Sequence, residues 1–309
     1  MGIQEKPGYT RLPMTLIVSD PLCLDHRAAG HVECPERVLA ILEHLKARGL
    51  LARLQPVRAR DATLDELALC HDRGYIESVR QASEHGGGWF DADTYLNEHS
   101  YAAAVRAAGG VLAAVEAVRD GGDANAFCVV RPPGHHATPV RGMGFCLFNN
   151  VAIAARFIRK RVLIVDWDVH HGNGTQDIFW DDPGVWYFST HRFPFYPGTG
   201  GAHEKGAGNI LNLPIAFGTS RPEFLGLFEG AIRKAEREFK PEWVLISCGF
   251  DAYEHDPIGG LGLKPEDYRT MTDILRGLKA PIVSALEGGY DLPGLGLCAE
   301  QHVLGLLAP

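Results

Sequence analysis

Short apolar runs alternate with longer amphipathic or Ala-rich segments along most of the chain. Six runs rich in Val, Ile and Leu predict strands buried on both faces, as in a parallel sheet: residues 14–20, 126–130, 162–165, 185–190, 243–248 and 281–286. The segments between them predict helices over residues 36–48, 74–83, 100–119, 149–159, 175–180, 221–239, 265–278 and 293–307. Strands that alternate with helices predict an α/β fold with a mainly parallel sheet. No repeat or linker is evident, so we expect one domain over residues 1–309.

The connecting segments are polar and rich in Gly and Pro. We expect loops over residues 21–35 and 191–209, and a flexible loop over residues 85–94, which contain three consecutive glycines. Thr63 followed by Glu66 is the pattern of a capping box and predicts a helix start.

Polar side chains follow four of the predicted strands at the point where each strand ends. These strand ends carry His135 and His136, then Asp166, Asp168 and His170, then Asp251, and finally Tyr290. Parallel strands end at one edge of a sheet, where open α/β sheets bind their ligands. We therefore expect these side chains to converge.

Asp168, His170 and Asp251 have the side-chain types of a metal site. Asp166, Asp168 and His170 alternate along an extended segment, so we expect them to share one face. An Asp-x-His pair alone is a weak signal, but three protein ligands with a fourth position left for water or substrate are typical of catalytic zinc. Oxygen and nitrogen ligands also suit iron(II) or cobalt.

The paired histidines follow Pro-Pro-Gly, a turn that could direct both rings inward. One imidazole, of His135 or His136, can take a proton from water activated by the metal. A catalytic imidazole needs a partner on its far nitrogen, and Asp166 and Asn173 are the candidates. Tyr290 can donate a hydrogen bond to an oxyanion. The alternatives are that one histidine is a structural loop residue and that the tyrosine only packs in its turn.

Aromatic residues beside turn formers predict the walls of a narrow channel. Gly144, Phe145 and Tyr196 are the candidates. We interpret Phe195 as core packing instead.

Composition excludes several classes of function. The net charge is −8 with no basic block, which argues against nucleic-acid binding. No apolar stretch approaches the roughly 20 residues of a membrane span, and residues 1–12 lack a signal-peptide core. Seven scattered cysteines without a CxxC pair argue against a disulfide framework. We expect a cytoplasmic protein that does not associate with membranes.

Six motifs together resemble the histone deacetylase superfamily. In order, they are RPPGHHA, GFCLFNN, VDWDVHHGNGTQ, FYPGTG, CGFDA and EGGY. The resemblance runs from about Asp25 to the C-terminus. GHHA without a tryptophan, and Asn173 where other members carry aspartate, are similar to the class II branch, which includes bacterial deacetylase-like amidohydrolases and acetylpolyamine amidohydrolases.

The resemblance implies an arginase/deacetylase-like three-layer α/β sandwich around a sheet of about eight strands. It implies one catalytic zinc on Asp168, His170 and Asp251, with metal-activated water attacking an acyl amide. His136 becomes the general base and acid and His135 its electrostatic partner. Tyr290 would polarise the substrate carbonyl.

The resemblance also implies one or two structural potassium ions. Asp166 and Ser189, with the main chain of Asp168, His170 and Thr190, would hold the first ion. A second ion would be held by main-chain oxygens near Phe179, Asp182 and Val185.

The expected substrate is acyl-lysine in a protein or peptide, and the alternative is an acetylpolyamine or another small N-acyl amide. The polyamine branch tends to place a glutamate after the Asp-Pro of the zinc-aspartate loop, where this chain has Ile258. Asp91 and Asp93 could grip a substrate backbone at the channel rim, or could be solvated loop acids. There is no dimerisation insert like that of the polyamine enzymes, and the sequence leaves the oligomeric state open.

Two other classes of function compete with a zinc deacetylase. A binding protein without chemistry should lack a ligand or the tyrosine, and all are present. An arginase-like dimanganese hydrolase needs further carboxylate and histidine ligands, and no convincing set adjoins the motifs.

Overall fold

The computed structural model describes residues 15–121 and 125–308. Three expectations fall outside these residues: the absence of a signal-peptide core in residues 1–12, the start of the first strand at Met14, and the Gly122 that follows the Ala-rich helix.

Eight parallel strands form the central sheet, as the resemblance implies. In chain order, and counting a separate hairpin as β3 and β4, they are β1 (Thr15–Val18), β2 (Gln55–Val57), β5 (Asn125–Cys128), β6 (Val162–Asp166), β7 (Val185–Arg192), β8 (Ile210–Ile215), β9 (Trp243–Cys248) and β10 (Ile282–Leu286). Their order across the sheet is β2-β1-β5-β10-β9-β6-β7-β8. All seven ladders between them are parallel.

The two strands at the edges of the sheet escaped prediction from the sequence. β2 has only three residues, and both β2 and β8 contain a proline, Pro56 and Pro214. Proline cannot donate to a ladder and is confined to edge strands. Edge strands are also less buried, so the continuous apolar run that marks a central strand is missing.

Helices cover both faces of the sheet and complete a three-layer sandwich. They are α1 (Glu36–Ala47), α2 (Leu64–Leu67), α3 (Arg73–Glu84), α4 (Ser100–Gly121), α5 (Asn150–Ile158), α6 (Asn173–Ile178), α7 (Arg221–Glu238), α8 (Pro265–Arg276) and α9 (Leu292–Leu306). α2 begins at the predicted capping box, in which Thr63 Oγ1 accepts from the Glu66 N–H. One apolar core includes residues of α2 to α5, and the other includes residues of α1, α7, α8 and α9.

The loop predicted over residues 85–94 is partly ordered into a hairpin. β3 (Gly88–Trp89) pairs with β4 (Tyr95–Leu96) in antiparallel register. Gly87 has a positive φ, and a Cβ there would lie 2.1 Å from the Leu96 carbonyl oxygen. The glycine therefore permits close packing of the hairpin.

By length and composition, α4 is apolar enough to span a membrane, contrary to the sequence expectation. In the structure 72% of its apolar window is buried. Its alanines pack against β1 and β5 in the first core.

The order of the central strands decides where the polar strand ends meet. β5, β10, β9 and β6 are consecutive neighbours. The histidine pair follows β5, and Tyr290 follows β10. Asp251 follows β9, and Asp168 and His170 follow β6. Because all four strands are parallel, the groups emerge side by side at one edge.

Gly109 tests the packing that holds α4 in place. A Cβ at this position would lie 2.0 Å from the Arg60 carbonyl oxygen and 2.5 Å from the Ala62 nitrogen. We expect Gly109→Ala to destabilise the protein by about 1–3 kcal/mol, because overpacking outweighs the helix propensity that alanine adds. The measurement is the midpoint and slope of urea unfolding.

Gly226 provides the matched control, since it is also a helix glycine but has no atom within 4 Å of its ideal Cβ position. Gly226→Ala should stabilise the protein by about 0.5–1 kcal/mol. Equal effects of the two substitutions would contradict the packing argument.

Candidate active site

Three side chains that follow two neighbouring strands bring their donor atoms together. His170 Nδ1 lies 3.1 Å from Asp168 Oδ1 and 3.0 Å from Asp251 Oδ2. The other carboxylate oxygens accept backbone hydrogen bonds: Asp168 Oδ2 from the Gly288 N–H at 2.7 Å, and Asp251 Oδ1 from the Val169 N–H at 2.8 Å. These bonds orient both carboxylates, so that one donor atom of each of the three residues lies within 4.8 Å of the others.

Glycines allow the backbone to come this close to the carboxylates. A Cβ on Gly249 would lie 2.1 Å from Asp168 Oδ2, and one on Gly288 would lie 2.2 Å from Asp251 Oδ2. A side chain at either position would therefore displace a donor. This is a physical reason for glycine in both the CGFDA and the EGGY motifs.

The three donors carry an excess of negative charge in a buried place. Burial alone would lower the pKa of His170, but its bonds to Asp168 and Asp251 outweigh burial and raise that pKa to about 10. Burial and the charge of Asp168 raise the pKa of Asp251 to about 7. The pKa of Asp168 is lowered, since His135 and His170 outweigh the effect of burial.

This donor set fits a divalent cation. Two carboxylate oxygens and one imidazole nitrogen converge, and a cation would neutralise the two facing carboxylates. The set leaves room for one more ligand, because the cavity described below reaches His170. Three protein ligands and one open position are typical of a catalytic zinc site.

The histidine pair stands beside the donors, and each ring has a partner on its far nitrogen. His135 Nδ1 lies 3.0 Å from Asp166 Oδ2, and His136 Nδ1 lies 2.8 Å from Asn173 Oδ1. Both acceptors are oxygens, so both Nδ1 atoms donate. This leaves Nε2 as the second nitrogen of each ring, and both histidines line the cavity.

The two imidazoles have opposite electrostatic environments. Burial lowers the pKa of His135, but the carboxylates of Asp166, Asp168 and Glu287 outweigh burial and raise it well above the usual value. Burial and the nearby positive charge of His135 hold the pKa of His136 well below the usual value. The surroundings therefore favour the charged form of His135 and the neutral form of His136, and a neutral imidazole can accept a proton.

Glu287 is a site residue that sequence reasoning missed. Its Oε2 accepts from the backbone N–H groups of Gly134 at 2.7 Å and His135 at 3.1 Å. It thereby joins the loop that carries Tyr290 to the loop that carries the histidine pair. Its place directly before Gly288, at the end of a buried strand, was the available signal.

A network of buried charged residues contacts the loop that carries Tyr290. Arg37 Nε donates to the Gly289 carbonyl at 2.6 Å, and the guanidinium carbon lies 4.8 Å from the centre of the Tyr290 ring. Arg37 also binds Glu33, whose carboxylate in turn accepts two hydrogen bonds from Arg131. All three charged residues of this network are fully buried.

A cavity of about 190 Å³ leads to the donors. Its lining is mostly aromatic and apolar. Of the expected channel residues, it includes Gly144, Phe145, Tyr196, Ile258 and Asp93 but not Asp91. The other lining residues are Pro133, His135, His136, His170, Phe195, Gly288 and Tyr290. Gly144 has a φ of +55°, and a Cβ there would lie 2.4 Å from His136 Cδ2. A side chain at position 144 would therefore displace the His136 ring.

The interpretation of Phe195 as core packing alone is wrong. Its ring stacks on His170, with centroids 5.2 Å apart and an interplanar angle of 14°. The guanidinium carbon of Arg192 lies 4.3 Å from the centre of the same ring. Arg192 also donates to the Gly259 carbonyl at 3.1 Å. This bond links the part of the cavity wall formed by Phe195 to the part formed by Ile258.

The two loop acids have different positions. Asp93 lines the cavity, whereas Asp91 does not. Asp91 Oδ1 instead accepts from the N–H groups of Asp93 and Thr94, at 3.2 and 2.7 Å. Asp91 therefore shapes the loop, and only Asp93 is placed to meet a ligand.

The residues expected at the first potassium site are neighbours in the sheet. Asp166 and Ser189 are register partners on β6 and β7. Thr190 follows Ser189 on β7, so its main chain continues the same stretch of strand. A buried carboxylate and a buried hydroxyl in register offer oxygen donors that fit a monovalent cation.

Asn173 provides a test of the environment of His136. Asn173→Asp should raise the pKa of His136 by about 1–3 pH units, because a carboxylate then accepts its Nδ1–H. Asn173→Ala, which lacks any acceptor, should not raise it. The pKa is followed by NMR titration of the imidazole nitrogens in metal-free protein, and identical titration in both variants would refute the assigned contact.

Comparison with known proteins agrees with this geometry. Residues 31–306 match the histone deacetylase domain family. The chain is 38% identical to a probable deacetylase of Methanothermobacter thermautotrophicus over 94% of this chain and 90% of the relative. It is 39% identical to histone deacetylase 15 of Arabidopsis thaliana and 38% identical to the polyamine deacetylase HDAC10 of Danio rerio.

The chain spans about half the length of the plant and fish relatives, 53% and 46% respectively, and 91% and 94% of this chain align with them. Among solved structures, the crystal structure of the HDA15 HD domain superposes with a TM-score of 0.91 at 38% identity. That match covers 96% of this chain and 88% of the other. The protein therefore belongs to the histone deacetylase family.

Proposed function

We propose that the protein is a zinc-dependent hydrolase that removes acetyl or longer acyl groups from the side-chain amine of lysine in proteins or peptides. The observation that carries this proposal is the convergence of three potential metal donors, a histidine pair and a tyrosine on one narrow cavity. A cavity with mainly apolar and aromatic walls suits the alkyl chain of an acylated lysine.

Each side chain has a role in amide hydrolysis. When bound, zinc would supply a Lewis acid and lower the pKa of a water molecule near the donors. His136 is placed to take a proton from that water through Nε2, while Asn173 holds Nδ1. His136 then returns the proton to the leaving amine, so acetate and a free amine are released.

Two further groups would stabilise the negative charge that develops on the amide oxygen. Tyr290 lines the same cavity as the histidine pair, and its hydroxyl can donate a hydrogen bond. Burial raises the pKa of Tyr290 well above its usual value, so the hydroxyl keeps its proton. The positive charge favoured on His135 adds electrostatic stabilisation next to the base.

The geometry favours one catalytic metal over the dimanganese alternative. The only other potential metal-binding group among the described residues is His135, Cys146 and Glu287. Burial raises the pKa of the Cys146 thiol well above its usual value, so it remains protonated. Manganese prefers oxygen donors, and this group offers only one carboxylate, which already holds two backbone N–H groups.

An acetylated polyamine or another small N-acyl amide is the second candidate substrate. The carboxylate of Asp93 in the cavity wall favours a second cationic group on the substrate. Ile258, an apolar wall residue in the loop that follows the zinc-ligand aspartate, favours acyl-lysine. A direct comparison of kcat/KM on acetyl-lysine peptides, longer acyl-lysine peptides and acetylpolyamines, with metal content measured in parallel, tests the proposal.

Tyr290→Phe should lower kcat by at least about ten-fold, because one donor to the oxyanion is lost. The metal content should not change, since Tyr290 is not among the donors. Tyr268→Phe is the control, because its buried hydroxyl has no partner among the described residues. Unchanged turnover in Tyr290→Phe would sink the assigned role.

Ile258→Glu should shift specificity toward acetylpolyamines. A carboxylate in the cavity wall would attract a second ammonium group, and one partly screened ion pair corresponds to about five- to ten-fold in relative kcat/KM. Ile258→Gln is the size-matched control without the charge. Equal ratios of the two substrates in both variants would show that this wall does not select substrate charge.

A further inference from the structure

Three main-chain carbonyl groups form a small cradle at the beginning of β7. They belong to Phe179, Asp182 and Val185, the group that the family resemblance implies for a second monovalent cation. In this chain a side chain lies there instead. Asn209 Nδ2 lies 2.8 Å from the Phe179 oxygen, 3.0 Å from the Asp182 oxygen and 2.9 Å from the Val185 oxygen.

The orientation of the Asn209 amide follows from its surroundings. Three carbonyl oxygens face Nδ2, so the nitrogen must point toward them, because the oxygen would be repelled there. The opposite atom, Oδ1, is buried and has no hydrogen-bond partner among the described residues. Asn209 itself is only 3% exposed. The amide group is thus held in the cradle despite the cost of an oxygen without a partner.

The carbonyl groups of the cradle already accept other hydrogen bonds. The Phe179 oxygen accepts from the Asp182 N–H at 3.1 Å, and the Asp182 oxygen accepts from the Val185 N–H at 3.2 Å. With the Asn209 amide added, each of these two oxygens has two donors, which fills its two lone pairs.

The charges around the cradle also disfavour an ion. The Asp182 carboxylate is bound by Arg156 and by the Gly184 N–H. Arg156 also donates to the Ile178 carbonyl, and its guanidinium carbon lies 4.9 Å from the centre of the Phe179 ring. A fixed positive charge therefore stands next to the cradle, and its nearest carboxylate is already paired.

We propose that the Asn209 side-chain amide permanently replaces the second monovalent cation in this protein. The amide supplies N–H donors where the cation would supply positive charge. Because the amide is part of the protein, it does not depend on the concentration of ions in solution. It ties the turn before β7 to the residue that precedes β8, where the Asn209 carbonyl also accepts the Tyr187 N–H at 3.0 Å. Monovalent ions then act only at the site beside Asp166 and Ser189.

Whether a cation binds in the cradle can be measured without an activity assay. The cradle lies at the start of β7, whereas the metal donors follow the opposite ends of the strands. Wild-type crystals soaked in thallium(I) acetate should show no anomalous peak among the three carbonyl oxygens. Asn209→Ala empties the cradle, so an additional peak should appear there. A peak at the cradle in the wild-type protein, with the Asn209 side chain turned away, would overturn the proposal.

Asn209→Asp provides the sharper test in solution. The substitution is isosteric, but it places a carboxylate oxygen against three carbonyl oxygens unless a cation lies between them. Exchange of choline chloride for potassium chloride at constant ionic strength should therefore raise the Tm of Asn209→Asp by about 3 °C or more beyond the rise seen for wild type. The rise in Tm of the wild-type protein reports the cation site beside Asp166 and Ser189, and it is subtracted from the rise of each variant.

Asn125→Asp is the matched control, since Asn125 is also a buried asparagine, begins β5 away from both cation sites, and has its Nδ2 near one carbonyl oxygen, that of Leu306 at 3.5 Å, rather than in a cradle of three. It should lose stability without any extra response to potassium. The same response to potassium in wild type, Asn209→Asp and Asn209→Ala would refute the proposal that the Asn209 amide replaces the cation. If Asn209→Asp folds only in potassium, that result supports the proposal.

Discussion

Two buried carboxylates that share one imidazole nitrogen form the interaction on which the site depends. Asp168 and Asp251 both approach His170 Nδ1 to about 3 Å. Such a cluster is costly to bury without a compensating cation, and its geometry is maintained by backbone N–H groups on the outer carboxylate oxygens. The neighbouring backbone can come close enough to donate only because residues 249 and 288 are glycines. The strand order, the strand-end loops and the cavity all serve to bring these groups to one place.

The loops around the metal donors are joined by buried charges rather than by apolar contacts alone. Glu287 links the loop of Tyr290 to the backbone of the histidine pair. Arg37 binds the Gly289 carbonyl from the other side and pairs with Glu33, which also holds Arg131. Loss of one partner would leave an uncompensated buried charge, which typically costs about 3–5 kcal/mol. Through these contacts the loops that carry the histidine pair and Tyr290 are held together.

The apolar runs predicted the six inner strands of the sheet, and the segments between them predicted every helix of six or more residues in the part of the chain that the structure describes. The apolar runs failed at the two edge strands, where proline and partial exposure remove the apolar signal. The convergence of the candidate site residues could be predicted because acidic and histidine side chains are uncommon at the ends of apolar strands, and the ends of parallel strands meet at one edge of a sheet. Phe195 shows the limit of this reasoning, because an aromatic residue has the same sequence signal whether it packs in a core or covers a metal ligand.

The sequence by itself determined the alternation of strands and helices, the candidate metal donors and the histidine pair, because these depend on local periodicity and on the residue types at strand ends. Only the tertiary structure decided which of the two loop acids faces the cavity, that Glu287 and Arg37 hold the loops of the histidine pair and of Tyr290, and that Asn209 fills the cradle before β7. These contacts join residues far apart in the chain, such as Arg37 and Gly289, or depend on the rotamer of one side chain. Neither local propensity nor hydrophobic pattern contains that information.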